Sequence, residues 1–186
     1  TRSDYEGMAR VIRECLPAAR RIGTLFVTNE DNSIYNKDAF EAELRRLGMT
    51  LVPAGVSSGT EVLDAARSVV DRNVDALCPV TSNLLEIAFA GVSRVAMESR
   101  TPLFAFTSTP VEQGAAAVGV ARDYRQAGRD MARLAVRVMR GEPPAGIPIE
   151  LVSRTRILVH LPNASRCATD VCRSAFLCLP HDLNPQ

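Results

Sequence analysis

Residues 21–56 read RIGTLFVTNEDNSIYNKDAFEAELRRLGMTLVPAGV, and this stretch decides the fold class. It opens with an apolar run, passes through a polar cluster at 28–33, and closes with a second apolar run from residue 49. Between the two runs, apolar residues recur at helical spacing over 33–47, and Gly48 stands where a C-terminal helix cap belongs. The pattern predicts a strand, a helix and a second strand, which together form one βαβ unit.

The same alternation continues through the rest of the chain. Four further helices are predicted at 3–17, 58–72, 83–99 and 123–142. Thr60 is the predicted N-cap of the helix within 58–72. Four further strands are predicted at 74–80, 101–106, 115–121 and 155–161. Alternating strands and helices imply an α/β fold with a mostly parallel sheet, and strands this apolar are typical of a sheet with helices on both faces.

Composition limits the classes of protein that fit. A chain of 186 residues with 46% hydrophobic and 23% charged residues suits one globular domain. The formal charge of +1 gives no reason to expect nucleic acid as a partner. No apolar run approaches the roughly 20 residues of a membrane span, and the first fifteen residues lack a signal-peptide core. Among the five cysteines, Cys167 and Cys172 have four residues between them, but no clear second ligand pair accompanies them, so we expect no metal site. We expect no cofactor either.

Polar residues follow three of the predicted strands at the point where each strand ends. They are Asn32 and Ser33 after the first strand, Thr81, Ser82 and Asn83 after the third, and Thr107 and Ser108 after the fourth. Open α/β sheets bind ligands beyond the carboxyl ends of their strands, where helix N-termini also present unpaired N–H groups. The pattern therefore predicts a site for a small polar ligand, although the same residue types also serve as ordinary helix caps.

Catalytic motifs are not found in the sequence. It contains no Walker-type phosphate loop, no G-x-G-x-x-G after the first strand and no G-x-S-x-G nucleophile elbow. His160 falls on a predicted strand and His181 in the tail, so neither is placed as a general base. A receiver-type acidic pocket from Glu30, Asp31 and Asp123 lacks the lysine that such a site uses after the fourth strand. We therefore expect a binding protein and not an enzyme.

The order of these motifs resembles the substrate-binding proteins of ABC transporters, in particular the branch associated with tryptophan and tyrosine. The resemblance covers roughly residues 5–166 and is most specific over 119–150, GVARDYRQAGRDMARLAVRVMRGEPPAGIPIE. It implies a type I periplasmic-binding-protein fold with two α/β lobes. Residues 1–122 resemble the C-terminal lobe, 123–166 a crossover helix and strand that return to an absent first lobe, and 167–186 diverge from the family.

The resemblance also implies a function and a site. The ligand would be a small solute such as an amino acid or derivative, and the partner an ABC permease, with the parent protein periplasmic or membrane-anchored outside the cytoplasm. The polar residues at the strand ends would contact the solute, Asp123 at the crossover would pair with its amino group, and Tyr35 and Tyr124 would border the pocket or pack beside it. A LacI-like ligand-sensing domain shares the fold and is the alternative.

One helix lacks a predicted partner. In the family, the helix matching 124–140 packs mainly on the first lobe. Its apolar stripe in this chain comprises Ala127, Met131, Leu134, Ala135 and Val138. Because an apolar stripe of this size is unusual on the surface of a monomer, we expect self-association through a second copy of the chain, or a helix that folds back.

Overall fold

The computed structural model of the chain describes residues 3–167. The helices are α1 (Tyr5–Cys15), α2 (Asp31–Arg46), α3 (Val62–Val70), α4 (Asn83–Glu98), α5 (Thr109–Glu112), α6 (Tyr124–Met139) and α7 (Leu161–Cys167). The strands are β1 (Arg21–Val27), β2 (Thr50–Val56), β3 (Ala76–Leu77), β4 (Phe104–Ala105), β5 (Val118–Arg122) and β6 (Thr155–Val159). Each element predicted from periodicity is present, with boundaries shifted by a few residues.

The strands form two three-stranded halves that join into one sheet. One half has the order β2-β1-β3 and the other β4-β5-β6, and a parallel bridge between Leu77 and Leu103 joins them. All pairings are parallel except that of β6, which runs antiparallel to β5. The predicted fold class, a mostly parallel α/β sheet, is confirmed.

The helices cover both faces of this sheet because the direction of strand addition reverses after β2. The chain moves outward from β1 to β2 and then back past β1 to β3. Since such crossovers are right-handed, the reversal places α2 and α3 on opposite faces. The contacts agree, because α1 packs with α2 and α3 packs with α4. The core between these layers includes the fully buried Ile22, Leu25, Phe40, Leu77 and Phe104.

Two predicted strands are shorter than expected. Regular pairing covers only two residues each of β3 and β4, against the predicted 74–80 and 101–106. The β3 ladder nevertheless continues past its assigned end, because the N–H groups of Cys78 and Val80 donate to the carbonyls of Gly23 and Leu25 at 2.8 and 3.1 Å. The sheet therefore reaches the start of the loop before α4.

The start of α3 corrects the predicted cap. Thr60 lies inside a 3₁₀ turn, Gly59–Glu61, and its hydroxyl contacts that of Ser58 at 2.9 Å instead of capping the helix. The turn is closed by Glu61, whose carboxylate accepts the Ser57 N–H at 2.8 Å. At the end of α2, by contrast, Gly48 has φ +70°, so the predicted glycine cap is confirmed.

The segment after β5 differs from the sequence expectation. Residues 123–166 were assigned to a crossover that returns to another lobe, but β6 pairs with β5 and Arg122 faces Thr155 across the two strands. The segment that leaves the sheet is therefore 123–154, which we call the arm. Its helix α6 has no buried residue and no extensive contact with any other described helix or strand, so it does not fold back. The divergent tail, 168–186, lies outside the described residues.

Candidate functional site

The predicted ligand residues lie along one edge of the sheet. Because β1 to β5 are parallel, their carboxyl ends meet at the same edge, and the loops that follow lie side by side there. We call this edge the rim and define it as residues 28–33, 57–62, 81–87 and 106–112. Seven of the eight predicted residues belong to it, and Asp123 follows β5 at its end.

Asn32 and Asn83 present their side chains to solvent. Both are exposed, and both lie in the first turn of a helix, Asn32 in α2 and Asn83 in α4. The first backbone N–H groups of a helix have no partner within it and favour negative charge. A carboxamide beside such N–H groups can bind a carboxylate or another polar end of a solute.

Ser33 and Ser82 are buried and hold the loops in place. The Ser33 side chain is 0% exposed, and its oxygen accepts the N–H of Val27 at 2.8 Å. Ser82 is the N-cap of α4, and its oxygen accepts the N–H of Leu85 at 3.3 Å. The structure thus gives both hydroxyls a role at the strand-to-helix junctions: one binds the last residue of β1, and the other binds the first turn of α4.

Thr81 is the centre of a hydrogen-bond network that joins three segments. Its hydroxyl lies 3.2 Å from that of Ser3, and its carbonyl accepts from the Asn36 amide at 3.1 Å. Asn36 in turn accepts from the hydroxyl of Tyr5 at 2.6 Å. Ser3, Tyr5 and Asn36 were not predicted as site residues. Asn36 lies one helical turn after Asn32, and that spacing is a signal visible in the sequence.

Thr107 and Glu86 connect the loops after β3 and β4. The Thr107 hydroxyl donates to a carboxylate oxygen of Glu86 at 3.1 Å. Glu86 is exposed in the first turn of α4, so its carboxylate faces the solvent side of the rim. Glu86 was not predicted as a site residue; its place three residues after Asn83 is the sequence feature that could have indicated it. Ser108 is the N-cap of the short helix α5, and its carbonyl accepts two backbone N–H groups.

Asp123 caps the helix that begins the arm. Its Oδ1 accepts the N–H groups of Arg125 and Gln126, each at 3.0 Å, and Arg154 lies 4.0 Å from its Oδ2. The hydrogen bond from the backbone of Gln126, helped by that of Arg125 and by nearby arginines, lowers the pKa of this carboxyl. With 14% of the side chain exposed, Asp123 has both a capping role and limited access to solvent.

A second charged cluster joins the N-terminal segment to the base of the arm. Asp4 Oδ2 accepts from the Thr155 hydroxyl at 2.9 Å, and the Arg122 guanidinium donates to the same hydroxyl oxygen at 2.9 Å. Asp4 also caps α1 by accepting the Gly7 N–H at 2.9 Å. We call the trio of Asp4, Arg122 and Thr155 the clasp. It fixes three chain segments at the end of the rim.

The rim is uniformly acidic. Its four segments contain five carboxylates and no lysine or arginine. The carboxylates are Glu30, Asp31, Glu61, Glu86 and Glu112. Like charges at one edge raise the negative potential there, which favours a ligand or partner with a positive group. The two tyrosines predicted to border the pocket, Tyr35 and Tyr124, are both exposed.

Three cavities in the described part of the chain lie away from the rim. Two of them, of about 350 and 380 Å³, share Arg100 and Thr101 at the opposite edge of the sheet. The third, of about 440 Å³, separates α6 from residues 150–153 in the arm. No rim residue lines any of these three cavities.

Metal and nucleophile chemistry have little support in the described residues. No group of three or more metal-ligating side chains occurs among residues 3–167. Burial raises the pKa of the Cys78 thiol well above its usual range. His160 lies at the edge opposite the rim, and its buried Nδ1 has no hydrogen-bond partner among the described groups. None of the helices within this range has the length and apolar composition of a membrane span.

The fold and the rim define an α/β lobe whose strand ends place polar groups along one edge of the sheet. The model of the ABC transporter substrate binding protein family matches residues 3–169. The chain therefore belongs to that family, as its resemblance implied.

Similar proteins are known both as sequences and as structures. A tyrosine-binding protein of Clostridioides difficile (strain R20291) is 30% identical over 162 residues, which are 85% of this chain and 46% of that protein. The ABC domain in complex with L-Trp from Streptococcus pneumonia has a TM-score of 0.78 at 23% identity, over 94% of this chain and 60% of that one. A ligand-free, open substrate binding protein with adhesive properties from Clostridium difficile has a TM-score of 0.69 at 26% identity, over 93% and 55%. The chain thus spans about half of the length of the relative it matches.

Proposed function

We propose that this chain is part of the solute-binding component of an ABC uptake transporter, and that its rim holds a small amine-bearing solute such as an amino acid or a derivative. The family membership supports the solute-binding role. The relative that binds tyrosine and the similar structure that contains L-Trp favour an amino acid as the ligand.

The observation that carries the proposal is the pairing of opposite polarities at the rim. Asn83 and the first N–H groups of α4 suit the carboxylate of an amino acid. The Glu86 carboxylate lies in the same turn and suits its ammonium group, while Thr107 holds that carboxylate in place. Asp123 offers a second carboxylate at the far end of the rim. The rim thus offers a partner for each of the two charges of a zwitterionic amino acid.

A ligand screen by thermal shift tests the proposal. The chain, and a longer protein that includes its natural upstream sequence, are heated with L-tyrosine, L-tryptophan, other amino acids, sugars and nucleosides. A ligand that binds only the folded state raises the melting temperature by mass action. We expect amino acids to raise the melting temperature of the longer protein. The effect on the chain alone should be weaker, because the chain spans about half of its relative and would supply only part of the contacts with the ligand.

Two matched variants locate the site within α4. Glu86→Gln and Glu98→Gln each remove one exposed charge from the same helix, but only Glu86 lies at the rim. We expect Glu86→Gln to weaken binding of the amino acid about tenfold or more, because charge-assisted hydrogen bonds contribute about 1.5–3 kcal/mol. Glu98→Gln should bind as the parent does. Equal effects of the two variants, or a screen in which only sugars or nucleosides shift the melting temperature, would contradict the proposed site.

The alternative is the ligand-sensing domain of a LacI-like transcription regulator. The fold alone does not separate the two, because a LacI family transcriptional regulator is among the structures that share it. Family membership favours the transport role. The two alternatives differ in the partner of the whole protein. Retention of the longer protein on a DNA column, together with unchanged solute uptake in cells that lack the protein, would favour the regulator.

For the whole protein we propose an ABC permease as the partner and a location outside the cytoplasm. Both follow from the transport role and from the family. Fractionation of cells that produce the longer protein, with and without protease added to intact cells or spheroplasts, checks the location. Protection from the protease in spheroplasts would contradict it.

A further inference from the structure

The edge of the sheet opposite the rim contains a cavity of about 350 Å³, which we call the edge cavity. It lies between the end of α4, the segments that lead into β4 and β5, and α7. Its apolar wall includes Met97, Leu103 and Ala117, of which Leu103 and Ala117 are buried. Sites for small molecules in proteins have volumes of about 300–1,000 Å³ and mostly apolar walls with a few polar groups. The edge cavity therefore has the size and the wall of a small-molecule site.

Asn163 gives the edge cavity a buried polar group. Only 9% of this residue is exposed, and its side-chain amide N–H donates to the carbonyl of Gly114. Its Oδ1 accepts no hydrogen bond from any residue within 3–167, yet it is not sealed from solvent. Because nearly all buried polar groups in proteins have a hydrogen-bond partner, this oxygen suits a donor group on a ligand.

Arg100 gives the edge cavity its charge. It is the one charged residue among the described residues that line the cavity. Its guanidinium forms no ion pair or hydrogen bond within residues 3–167, and the hydroxyl of the adjacent Thr101 lines the same cavity. A guanidinium with all of its donors available favours a carboxylate, which accepts two of them at once.

The backbone of Arg100 also points to a role for its side chain. Its φ is +55°, in the left-handed region, directly after the C-cap residue Ser99 of α4. The N–H groups of Thr101 and Arg100 donate to the carbonyls of Ala96 and Met97 at 2.9 and 3.2 Å, which is the Schellman pattern. Glycine is the usual residue at this position because it has no Cβ. An arginine here is unfavourable for the backbone, and such residues are common at functional sites.

We propose that the edge cavity is a second binding site, separate from the rim, for a small monocarboxylic acid with an apolar body and one hydrogen-bond donor. Arg100 and the hydroxyl of Thr101 bind the carboxylate at the mouth. The apolar body packs against the wall, and the donor group reaches Oδ1 of Asn163. The ligand needs no ammonium group, so this proposal does not depend on the one made for the rim.

The neighbouring cavity of about 380 Å³ is less suitable for an anion. It shares Arg100 and Thr101 with the edge cavity, but it is also lined by Asp75. The Asp75 carboxylate accepts the backbone N–H groups of Arg20 and Arg21 at 2.7 and 2.8 Å, so its hydrogen bonds are already made within the fold. Its negative charge would repel a second carboxylate. The acid is therefore assigned to the edge cavity alone.

A titration followed by ¹H–¹⁵N NMR tests the site in the full chain. The probe is 3-hydroxybenzoate, which has a carboxylate, an apolar ring and a hydroxyl but no amine. We expect saturable shifts of the amides of 93–103, 115–117 and 163, with a dissociation constant of about 1 mM or lower. The neutral 3-hydroxybenzamide and inorganic phosphate should each bind at least about tenfold more weakly, since one lacks the charge and the other the apolar body.

Three outcomes of this titration would overturn the proposal. The first is the absence of saturable shifts at about 10 mM probe, an affinity too weak for a specific site. The second is a set of shifts confined to the rim. The third is phosphate binding as tight as that of the probe, which would mean that an exposed arginine attracts any anion.

Two matched variants test the role of the guanidinium. Arg100→Gln and Arg94→Gln each remove one exposed positive charge at or near the end of α4, but Arg94 does not line the edge cavity. We expect Arg100→Gln to weaken binding of the probe about tenfold or more, and Arg94→Gln to bind as the parent does. Equal losses in the two variants would overturn the site.

The variant Arg100→Gly separates binding from folding. It removes the guanidinium while placing the residue that the left-handed backbone favours. We expect its melting temperature to be at least that of the parent, and its binding of the probe to be as weak as that of Arg100→Gln. Arg100→Gly that binds the probe as the parent does would overturn the proposal.

Discussion

Ser33 shows how one hydroxyl predicted for a ligand serves the fold. Its oxygen accepts the buried N–H of Val27, so the substitution Ser33→Ala leaves that N–H without a partner. We expect Ser33→Ala to lower the free energy of unfolding by about 1–3 kcal/mol, the cost of an unsatisfied buried group. Urea denaturation measures it. Asn32→Ala, one residue away and exposed, should change stability by no more than about 0.5 kcal/mol, and an equal loss in both variants would contradict this assignment.

Asp123 gives stability that depends on pH. Hydrogen bonds from Gln126 and Arg125 stabilise its ionised form, so its pKa is lower in the folded chain than in the unfolded chain. Its contribution is present above the unfolded pKa of about 3.9 and is lost as the pH falls through the lower folded pKa. The stability difference between the parent and Asp123→Asn should therefore be constant near neutral pH and shrink below about pH 3.9. Urea titrations at several pH values measure it, and a difference that grows on acidification would refute it.

The residue types at the rim were predictable, but their contacts were not. Strand ends are visible in the sequence, so Asn32, Thr81 and Thr107 could be placed at one edge. Which hydroxyl is buried depends on the angle between a strand and its following helix, and no local pattern gives that angle. The Glu86–Thr107 contact, between residues from two different loops, depends in the same way on the assembled sheet. The role of the eight predicted residues in ligand binding stays a prediction.

At the scale of elements, alanine substitutions at two glycines compare the end of α2 with the 3₁₀ turn that precedes α3. Gly48 has φ +70° and Gly59 does not have a positive φ, while an added Cβ meets no atom at either position. Gly48→Ala should therefore cost about 1–2 kcal/mol from backbone strain alone. Gly59→Ala should change the free energy of unfolding by no more than about 0.5 kcal/mol. Urea midpoints compare the two, and similar values would mean that the cap is unimportant.

Element type followed from periodicity wherever a long amphipathic pattern was present, as in α2 and α4. The strands β3 and β4 were overestimated, because an apolar run shows that a segment is buried but not how far its ladder remains regular. Thr60 was wrong as a cap because Glu61 closes the turn through its own side chain. The pairing of β6 with β5 was also missed, since an antiparallel edge strand at the end of a parallel sheet has no separate sequence pattern.

At the scale of the whole molecule, the lobe should fold without the arm. Arg122 and Thr155 face each other in adjacent antiparallel strands, so an Asn-Gly turn can join them in place of residues 123–154. Because α6 contributes no buried residue, we expect this shortened chain to unfold cooperatively and to be no less stable than the parent. Urea denaturation checks the stability and the cooperativity of unfolding. Loss of cooperative unfolding would show that the arm is part of the core.

The clasp has a consequence for the order of events in folding. Asp4 and Thr155 are 151 residues apart in sequence, whereas the βαβ connections of the sheet join strands across much shorter loops. Closing the longest loop costs the most chain entropy, so this contact should form after the barrier to folding has been crossed. Thr155→Val should then speed unfolding in stopped-flow experiments while the refolding rate stays the same. The contact would thus slow unfolding without changing the folding rate, and so lengthen the lifetime of the folded molecule.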